Sequence, residues 1–423
     1  MPKISLSKAM VDVQWAFISI ITASLAHFIL RIIFGRELGP EGLGIYTLAF
    51  TIYLFGMQFA AFGIGSALTK YVAEFIDNTT TVRNYVSSGL TSSIITGTLM
   101  CIILFIFAPF IAISFFKVPE LVGLLHLIAI SLPFIAIQKA VLGTLNGFRK
   151  MHLYAFLNVI QNVTILVTST ILVLFFDRGI TGAVIGFVAP TIVIGILSPI
   201  LIREYLQTSF FWIYSALRDT TFFGFYIVLG DSVSFLNTQM SIILMGYFLS
   251  PSDVGIYAVA AILAQILVLI PGAIQTVTNP VIASLYGKGD IEGVRRVFYS
   301  TLKKSFLLTA GSAIVIAVFG PYVIILLFGD IFLASYIPLL ILLSGYAIGA
   351  SFAAVGTTLS SIGKVQVSFY VGVVGLVINI IINLLLIPIF GIVGAAMATS
   401  ATIIIIFLIL IRIINKCLHT PLV

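Results

Sequence analysis

Charged and polar positions in this 423-residue chain fall in short clusters that bound long apolar runs, and the spacing of the clusters sets the elements. A helix needs about 20 apolar residues to cross the hydrocarbon core of a bilayer. The charge-free stretches from Arg83 to Lys117, Arg178 to Arg203, Lys304 to Asp330 and Asp330 to Lys364 are each that long or longer, so each holds one spanning helix. The run from Lys364 to Arg412 is too long for one helix, and the proline and glycines of PIFGIVGA, 388–395, mark a tight turn between two. Read this way throughout, the chain predicts twelve transmembrane helices, at 13–35, 42–66, 84–114, 120–145, 152–176, 179–201, 221–248, 253–276, 300–328, 334–361, 366–388 and 391–413. ITASLAH near residue 23 resembles a signal-cleavage site, but the apolar run passes through it to Phe34, so a retained helix is expected.

Composition agrees with that pattern. Hydrophobic residues make up 61% of the chain and charged residues 8%, against about a quarter charged in a typical soluble domain. Such a chain cannot cover a water-facing surface, and an all-α integral membrane protein is expected. With both termini cytoplasmic, 17 of the 21 Lys and Arg residues fall on the inner side and only Arg31, Arg36, Lys117 and Arg178 on the outer. That is the positive-inside pattern of a plasma-membrane protein, and a missed helix would scramble it downstream.

Little in the sequence points to an enzyme. Cys101 and Cys417 have no disulfide or metal spacing, and four scattered histidines make no metal site, so no metal or cofactor is expected. GTTLSSIGKV, 356–365, departs from a phosphate loop, with six residues instead of four between its glycines and Val365 in place of Ser or Thr. The basic segment Lys288 to Lys304 is expected to meet anionic headgroups, at about 1 kcal/mol per charge, and not nucleic acid.

The chain also repeats itself. GRELGPEGLGIY, 35–46, returns as YFLSPSDVGIY, 247–257, with Gly44 and Gly255 offset by 211 residues; FAPF at 107–110 and GITGAVIG at 179–186 return at an offset of 212 as FGPY and GIVGAAMA. Two copies of a six-helix unit follow, 1–202 and 220–423, joined by a cytoplasmic interfacial helix over 203–219. Six is even, so the copies are parallel repeats around a central cavity, with substrate bound between them near the midplane. The motif residues Gly39, Pro40, Gly44, Tyr46, Pro251, Gly255 and Tyr257 suit a turn and a packing contact. The prolines fit the first helical position and the glycines allow close helix approach.

RELGPEGLGIY, LGTLNGFRKMHLYAFLNVIQN (142–162) and PIFGIVGAAMA (388–398), in that order over nearly the whole chain, resemble the polysaccharide-exporter branch of the multidrug/oligosaccharidyl-lipid/polysaccharide transporter superfamily. The resemblance implies a V-shaped transporter whose halves rock about a central cavity to move lipid-linked sugars from the inner to the outer leaflet. It also implies cationic side chains in the cavity that meet a lipid pyrophosphate.

Ionisable groups inside spanning helices cost about 2.5–3.5 kcal/mol to insert and so mark candidate sites. Ser24, His27 and Arg31 share one stripe of the first helix at i, i+3 and i+7, where two cationic groups can meet a phosphate. The competing reading is that Arg31 snorkels to the headgroups and His27 packs as a neutral ring. Asp231, with Ser234 and Thr238 below it on the seventh helix, is the candidate for a coupling cation or proton, or for pairing with a cation. Lys139 either snorkels or faces the cavity. Asn158, Asn162, Asn379 and Asn383 either bridge helices or hold sugar hydroxyls. Two functions remain, a flippase for lipid-linked oligosaccharide and an ion-coupled drug or metabolite antiporter of the same superfamily. A glycosyltransferase is disfavoured because the loops are short. The expected partners are the lipid-linked sugar and membrane lipids, and the chain is expected to act as a monomer, with polysaccharide-assembly proteins as candidate associates.

Overall fold

The computed structural model of the protein describes residues 6–206, 213–353, 355–356, 358–361 and 363–419. Among the described residues the regular structure is helical throughout, and ten helical runs are long and apolar enough to cross a membrane. Two of them are far longer than a bilayer requires, 64 residues over Val11–Glu74 and 52 over Gln366–Cys417.

Each long run folds back at a glycine. In Leu6–Ala61 the break is Gly39, at φ 66° and ψ −174°, a region of backbone space that essentially only glycine enters. The ring centroids of His27 and Phe50, on either side of it, are 5.4 Å apart, whereas an unbroken helix would hold these residues about 35 Å apart. The arms are α1 (6–38) and α2 (40–61). In Val365–His419 the break is Gly391, at φ 57° and ψ −133°. Asn379 donates to Thr402 across it at 3.3 Å, again where a straight helix would separate the pair by about 35 Å. This is the turn expected at PIFGIVGA.

Between these arms lie α3 (Ile64–Glu74), α4 (Thr79–Pro109, continued by a π-turn over Phe110–Phe115), α5 (Leu121–Gly147), α6 (Met151–Leu174), α7 (Gly179–Leu197), α8 (Ile213–Phe248), α9 (Pro251–Gln265), α10 (Leu269–Gly287), α11 (Ile291–Phe328), α12 (Tyr336–Ala353) and the single turn α13 (Thr358–Ser361). The closing arms are α14 (365–390) and α15 (392–419). Several expected helices are interrupted, the one over 179–201 by a 3-10 turn at Ser198–Tyr205. The one over 42–66 stops at Phe62 and Gly63, both with positive φ, and resumes as α3. The one over 253–276 passes through a 3-10 turn at Ile266–Val268 into α10. The one over 334–361 is entered by a 3-10 turn at Asp330–Ser335 and ends with α12 at Ala353, ahead of α13. Of the expected joining helix over 203–219, residues 207–212 lie outside the described residues. Residues 203–205 end a 3-10 turn and 213–219 open α8.

The chain forms two compact units, one of residues 1–38 and 45–232, the other of 39–44 and 233–423. In the first, Val82, Val86, Val141, Leu145 and Ile202 form a buried core. α5 is pinned to α3 by a glycine crossing, where a Cβ on Gly143 would lie 2.1 Å from the Gly65 carbonyl oxygen. Thr69 seals that crossing by donating to the carbonyls of Gly65 and Gly143 at 3.0 Å each. At its rim Arg149 and Asp12 form a part-buried pair at 2.6 Å, and Lys150 and Glu204 an exposed one at 3.0 Å. Lys150 also donates to the Tyr205 hydroxyl, and that bond, with Glu204, holds its ammonium above the ordinary lysine value. In the second unit Ile282, Val294, Phe298, Val355 and Ile414 form the core.

The sequence echo has structural counterparts at the same offset. Asn78 caps α4 by accepting from Thr81 N at 3.0 Å, and Asp290 caps α11 by accepting from Gly293 N at 2.7 Å. Gly179 and Gly391 both adopt left-handed φ, 54° and 57°. The motif tyrosines meet equivalent positions as well. Tyr46 packs edge-on against Phe187, centroids 6.3 Å apart, and Tyr257 hydrogen-bonds Thr399 at 3.1 Å.

The second unit takes in Gly39–Gly44, and there the two copies of the motif meet. A Cβ on Gly44 would lie 1.7 Å from the Pro251 carbonyl oxygen, and a Cβ on Gly255 would lie 2.0 Å from the Pro40 carbonyl oxygen. Each glycine faces the other copy's proline carbonyl, so the two backbones touch. Ser250 and Asp253 complete a reciprocal capping box at the start of α9, satisfying two of the orphan N–H groups there.

Candidate functional site

α1 carries Ser24 exposed and His27 and Arg31 half-buried. The fold-back at Gly39 lays α2 against this stripe. The wall opposite is aromatic: His27 stands 5.4 Å from Phe50, Phe34 lies 4.6 Å from Tyr46, and Tyr53 lies 5.0 Å from Phe187. Tyr46 is buried and, with His27, is near enough to feel the Arg31 charge. Arg31 has no ion-pair partner among the described residues. A guanidinium left without a carboxylate at the edge of an aromatic wall is a ready acceptor site for a phosphate, which it can bind through two parallel N–H donors.

Lys139 is half-buried on α5, one turn before the Gly143 crossing that fixes its backbone. It too has no ion-pair partner among the described residues. Its neighbour Gln138 is buried and donates to Gln161 of α6 at 2.6 Å, so this pair bridges α5 and α6 and leaves Lys139 on the adjoining face. Among the described residues no hydrogen bond or ion pair joins Lys139 to the Arg31 stripe.

The asparagines divide into two kinds. Asn158 and Asn162 on α6 are half-buried, and each donates one N–H to a carbonyl of its own helix, Tyr154 O at 3.0 Å and Asn158 O at 2.8 Å. Their side-chain oxygens accept no hydrogen bond among the described residues. Asn379 and Asn383, expected among the cavity candidates, are instead interior, 2% and 0% exposed. Asn379 donates to Thr402, and Asn383 to the Asn379 carbonyl and side-chain oxygens at 2.8 and 3.0 Å. Asn379 thereby ties α14 to α15, while Asn383 bonds within α14.

Asp231 falls at the middle of α8 and is exposed, with no ion pair to it among the described residues. Thr238 donates to carbonyls of its own helix, Phe235 O at 2.8 Å and Ser234 O at 3.3 Å, which leaves its oxygen lone pairs for a cation. Past Asp231, α8 is fastened to the second unit. Asn237 donates to Gly372 O at 2.9 Å, and Ser241 and Thr399 share a hydrogen bond at 2.9 Å. Only the partners across α8, α9, α14 and α15 identify these groups as a bridge, and sequence spacing carries no signal for that.

A fold of many long apolar helices defines a multi-pass membrane protein. Residues 10–286 match the family described as polysaccharide biosynthesis protein, and residues 228–385 match a second model, MatE. The chain belongs to the polysaccharide biosynthesis protein family. Among its relatives in Haloferax volcanii, the probable flippase AglR is 27% identical, the alignment covering 95% of this chain and 82% of the relative. The probable low-salt glycan biosynthesis flippase Agl15 is 24% identical, covering 91% and 79%. Among solved structures, the lipid II flippase MurJ in an inward closed conformation is similar at a TM-score of 0.75 and 18% identity, covering 96% of this chain and 87% of that one. That likeness is one of fold.

Proposed function

We propose that the protein is a flippase, moving a lipid-linked oligosaccharide or polysaccharide precursor from the inner to the outer leaflet of the cell membrane by alternating access. The observation that carries this reading is the pair of half-buried cations without ion-pair partners, Arg31 and Lys139, in a chain of the polysaccharide biosynthesis family. In the assignment we favour, Arg31 takes the lipid phosphate, His27 and Ser24 support it, and Asn158 and Asn162 meet sugar hydroxyls. The test is leaflet transfer of a lipid-linked oligosaccharide in vesicles holding the purified protein.

Twelve spanning helices with both termini cytoplasmic are the arrangement proposed. It is supported by ten long runs, two of which fold back at Gly39 and Gly391. Two parallel six-helix repeats, 1–202 and 220–423 about a joiner over 203–219, are supported by the shared caps and turn glycines. Cysteines introduced at Glu41, exposed beside the fold-back, and at Lys117 are expected to react with an impermeant thiol reagent added outside, and ones at Arg149 and Lys288 to stay unlabelled. The opposite labelling of either pair contradicts this topology.

An antiporter is the second reading, favoured by the MatE match over 228–385, the segment that carries Asp231. Asp231→Asn keeps the side chain's shape and removes its charge. If Asp231, with Ser234 and Thr238, couples transport to a cation or proton, the variant folds, binds substrate and loses the dependence of transport on the ion or pH gradient. Unchanged gradient dependence removes the coupling role.

A further inference from the structure

α4 and α11 begin 212 residues apart, at Thr79 and Ile291, behind equivalent caps. Compared at that offset they bury the same stripe: Val82 with Val294, Val86 with Phe298, Ser93 with Ser305, and Gly97 with Thr309. A second stripe differs. Ser88 and Ser92 are buried in α4, whereas their counterparts Ser300 and Lys304 are exposed in α11. Arg296 and Lys303 are exposed beside them, where α4 has Asn84 and Thr91. The cation common to both copies is Arg83 in one and Arg295 in the other. The shared scaffold therefore needs one arginine. Arg296, Lys303 and Lys304 are carried by the second copy alone, on a face that the first copy uses for packing.

Arg296, Ser300 and Lys304 stand at i, i+4 and i+8 and so share a face, with Lys303 beside Lys304. The nearest acidic groups do not cancel them: Asp290 is engaged as the helix cap, leaving Glu292 against three cations. Depth narrows the occupant. From Ser305 to Phe328 the helix is free of charge, about 36 Å of spanning length, which sets Lys303 and Lys304 at the level of the lipid headgroups. Ser300 and Arg296 then lie about 6 and 12 Å further into water. A phospholipid headgroup ends near the first pair, but a glycan attached through phosphate to a lipid continues along the stripe, where a hydroxyl and a guanidinium can meet its hydroxyls.

We propose that the Arg296–Ser300–Lys304 face of α11, with Lys303, captures the phosphate-bearing head of the lipid-linked sugar at the cytoplasmic leaflet before transport, an inference that rests on the flippase reading. The experiment measures binding of a polyprenyl-diphosphate-linked oligosaccharide to the full-length protein in phosphatidylcholine nanodiscs. Replacing all three cations by glutamine (Arg296→Gln, Lys303→Gln, Lys304→Gln) is expected to weaken binding by about tenfold or more, while Arg295→Gln leaves it within about twofold. The charge-keeping set Arg296→Lys, Lys303→Arg, Lys304→Arg is expected to bind like the unmodified protein, which separates lost charge from lost folding. Unchanged affinity in the glutamine variant overturns the site. So does equal displacement of the probe by phosphatidylglycerol at the same mole fraction, which makes the face a general anionic-lipid surface. If the unmodified protein binds the probe but moves no lipid-linked sugar in vesicles, the flippase reading fails and the binding face stands.

Discussion

Replacing Gly44 by alanine is expected to be among the most damaging single changes in the chain. The added methyl would sit 1.7 Å from the Pro251 carbonyl oxygen, and the obstacle is backbone on both sides, so no flexible side chain can give way. The helices starting at Pro40 and Pro251 must separate. That loosens the reciprocal contact at Gly255 and weakens the dispersion attraction along the whole crossing, which falls off within an ångström of gap. A loss of about 3 kcal/mol or more is expected, at the upper end of overpacking costs. Gly255→Ala should behave alike, with Pro40 O in its way at 2.0 Å. Gly311→Ala is the control. It lies within α11 with nothing within 4 Å of its added Cβ and should leave thermal stability unchanged or slightly higher. Thermal unfolding of the detergent-solubilised variants checks the contrast, and equal stability of Gly44→Ala and Gly311→Ala contradicts the crossing.

Arg31→Ala is expected to leave the protein folded and slow transport by about tenfold to hundredfold. With no ion-pair partner among the described residues, the guanidinium leaves no buried carboxylate uncompensated when it is removed, so stability should change little. A phosphate that lost charge-assisted hydrogen bonds from the site would lose about 1.5–3 kcal/mol, which is roughly a tenfold to hundredfold fall in kcat/KM. Arg31→Lys should keep part of the rate, since a point charge still attracts phosphate but lacks the paired donors of the fork. Comparing initial transport rates at matched protein density checks this. A normal rate in the alanine variant reduces Arg31 to an anchor at the headgroups.

Much of the architecture could be read from spacing because a bilayer imposes its thickness on the chain. Apolar runs located the helices, and PIFGIVGA located the fold-back at Gly391. The interruptions at Phe62–Gly63 and Ile266–Val268 lie inside apolar runs with no charge near them, so counting charges is blind to them. The motif's repetition was visible in the sequence, but its reason was not. Contact between Gly44 and Pro251 is a long-range event that no local pattern encodes, and it accounts for a motif of small residues behind a proline occurring twice. The candidate site was legible where a rare residue type stood out, as with Arg31, Lys139 and Asp231. It was least legible for amides, because an asparagine that grips a ligand and one that ties two helices look the same until partners such as Thr402 are in place.

The central claim is that this chain moves a lipid-linked sugar between leaflets. The most direct measurement reconstitutes the purified protein into vesicles with a fluorescent lipid-linked oligosaccharide in both leaflets and adds a membrane-impermeant reductant outside. Vesicles without protein should lose only the outer-leaflet fluorescence. If the protein is a flippase, nearly all the fluorescence is lost, and the extra loss is about tenfold to hundredfold slower with Arg31→Ala. Fluorescence that stops at the outer-leaflet fraction in vesicles proven to hold folded protein, with or without an ion gradient, contradicts the account.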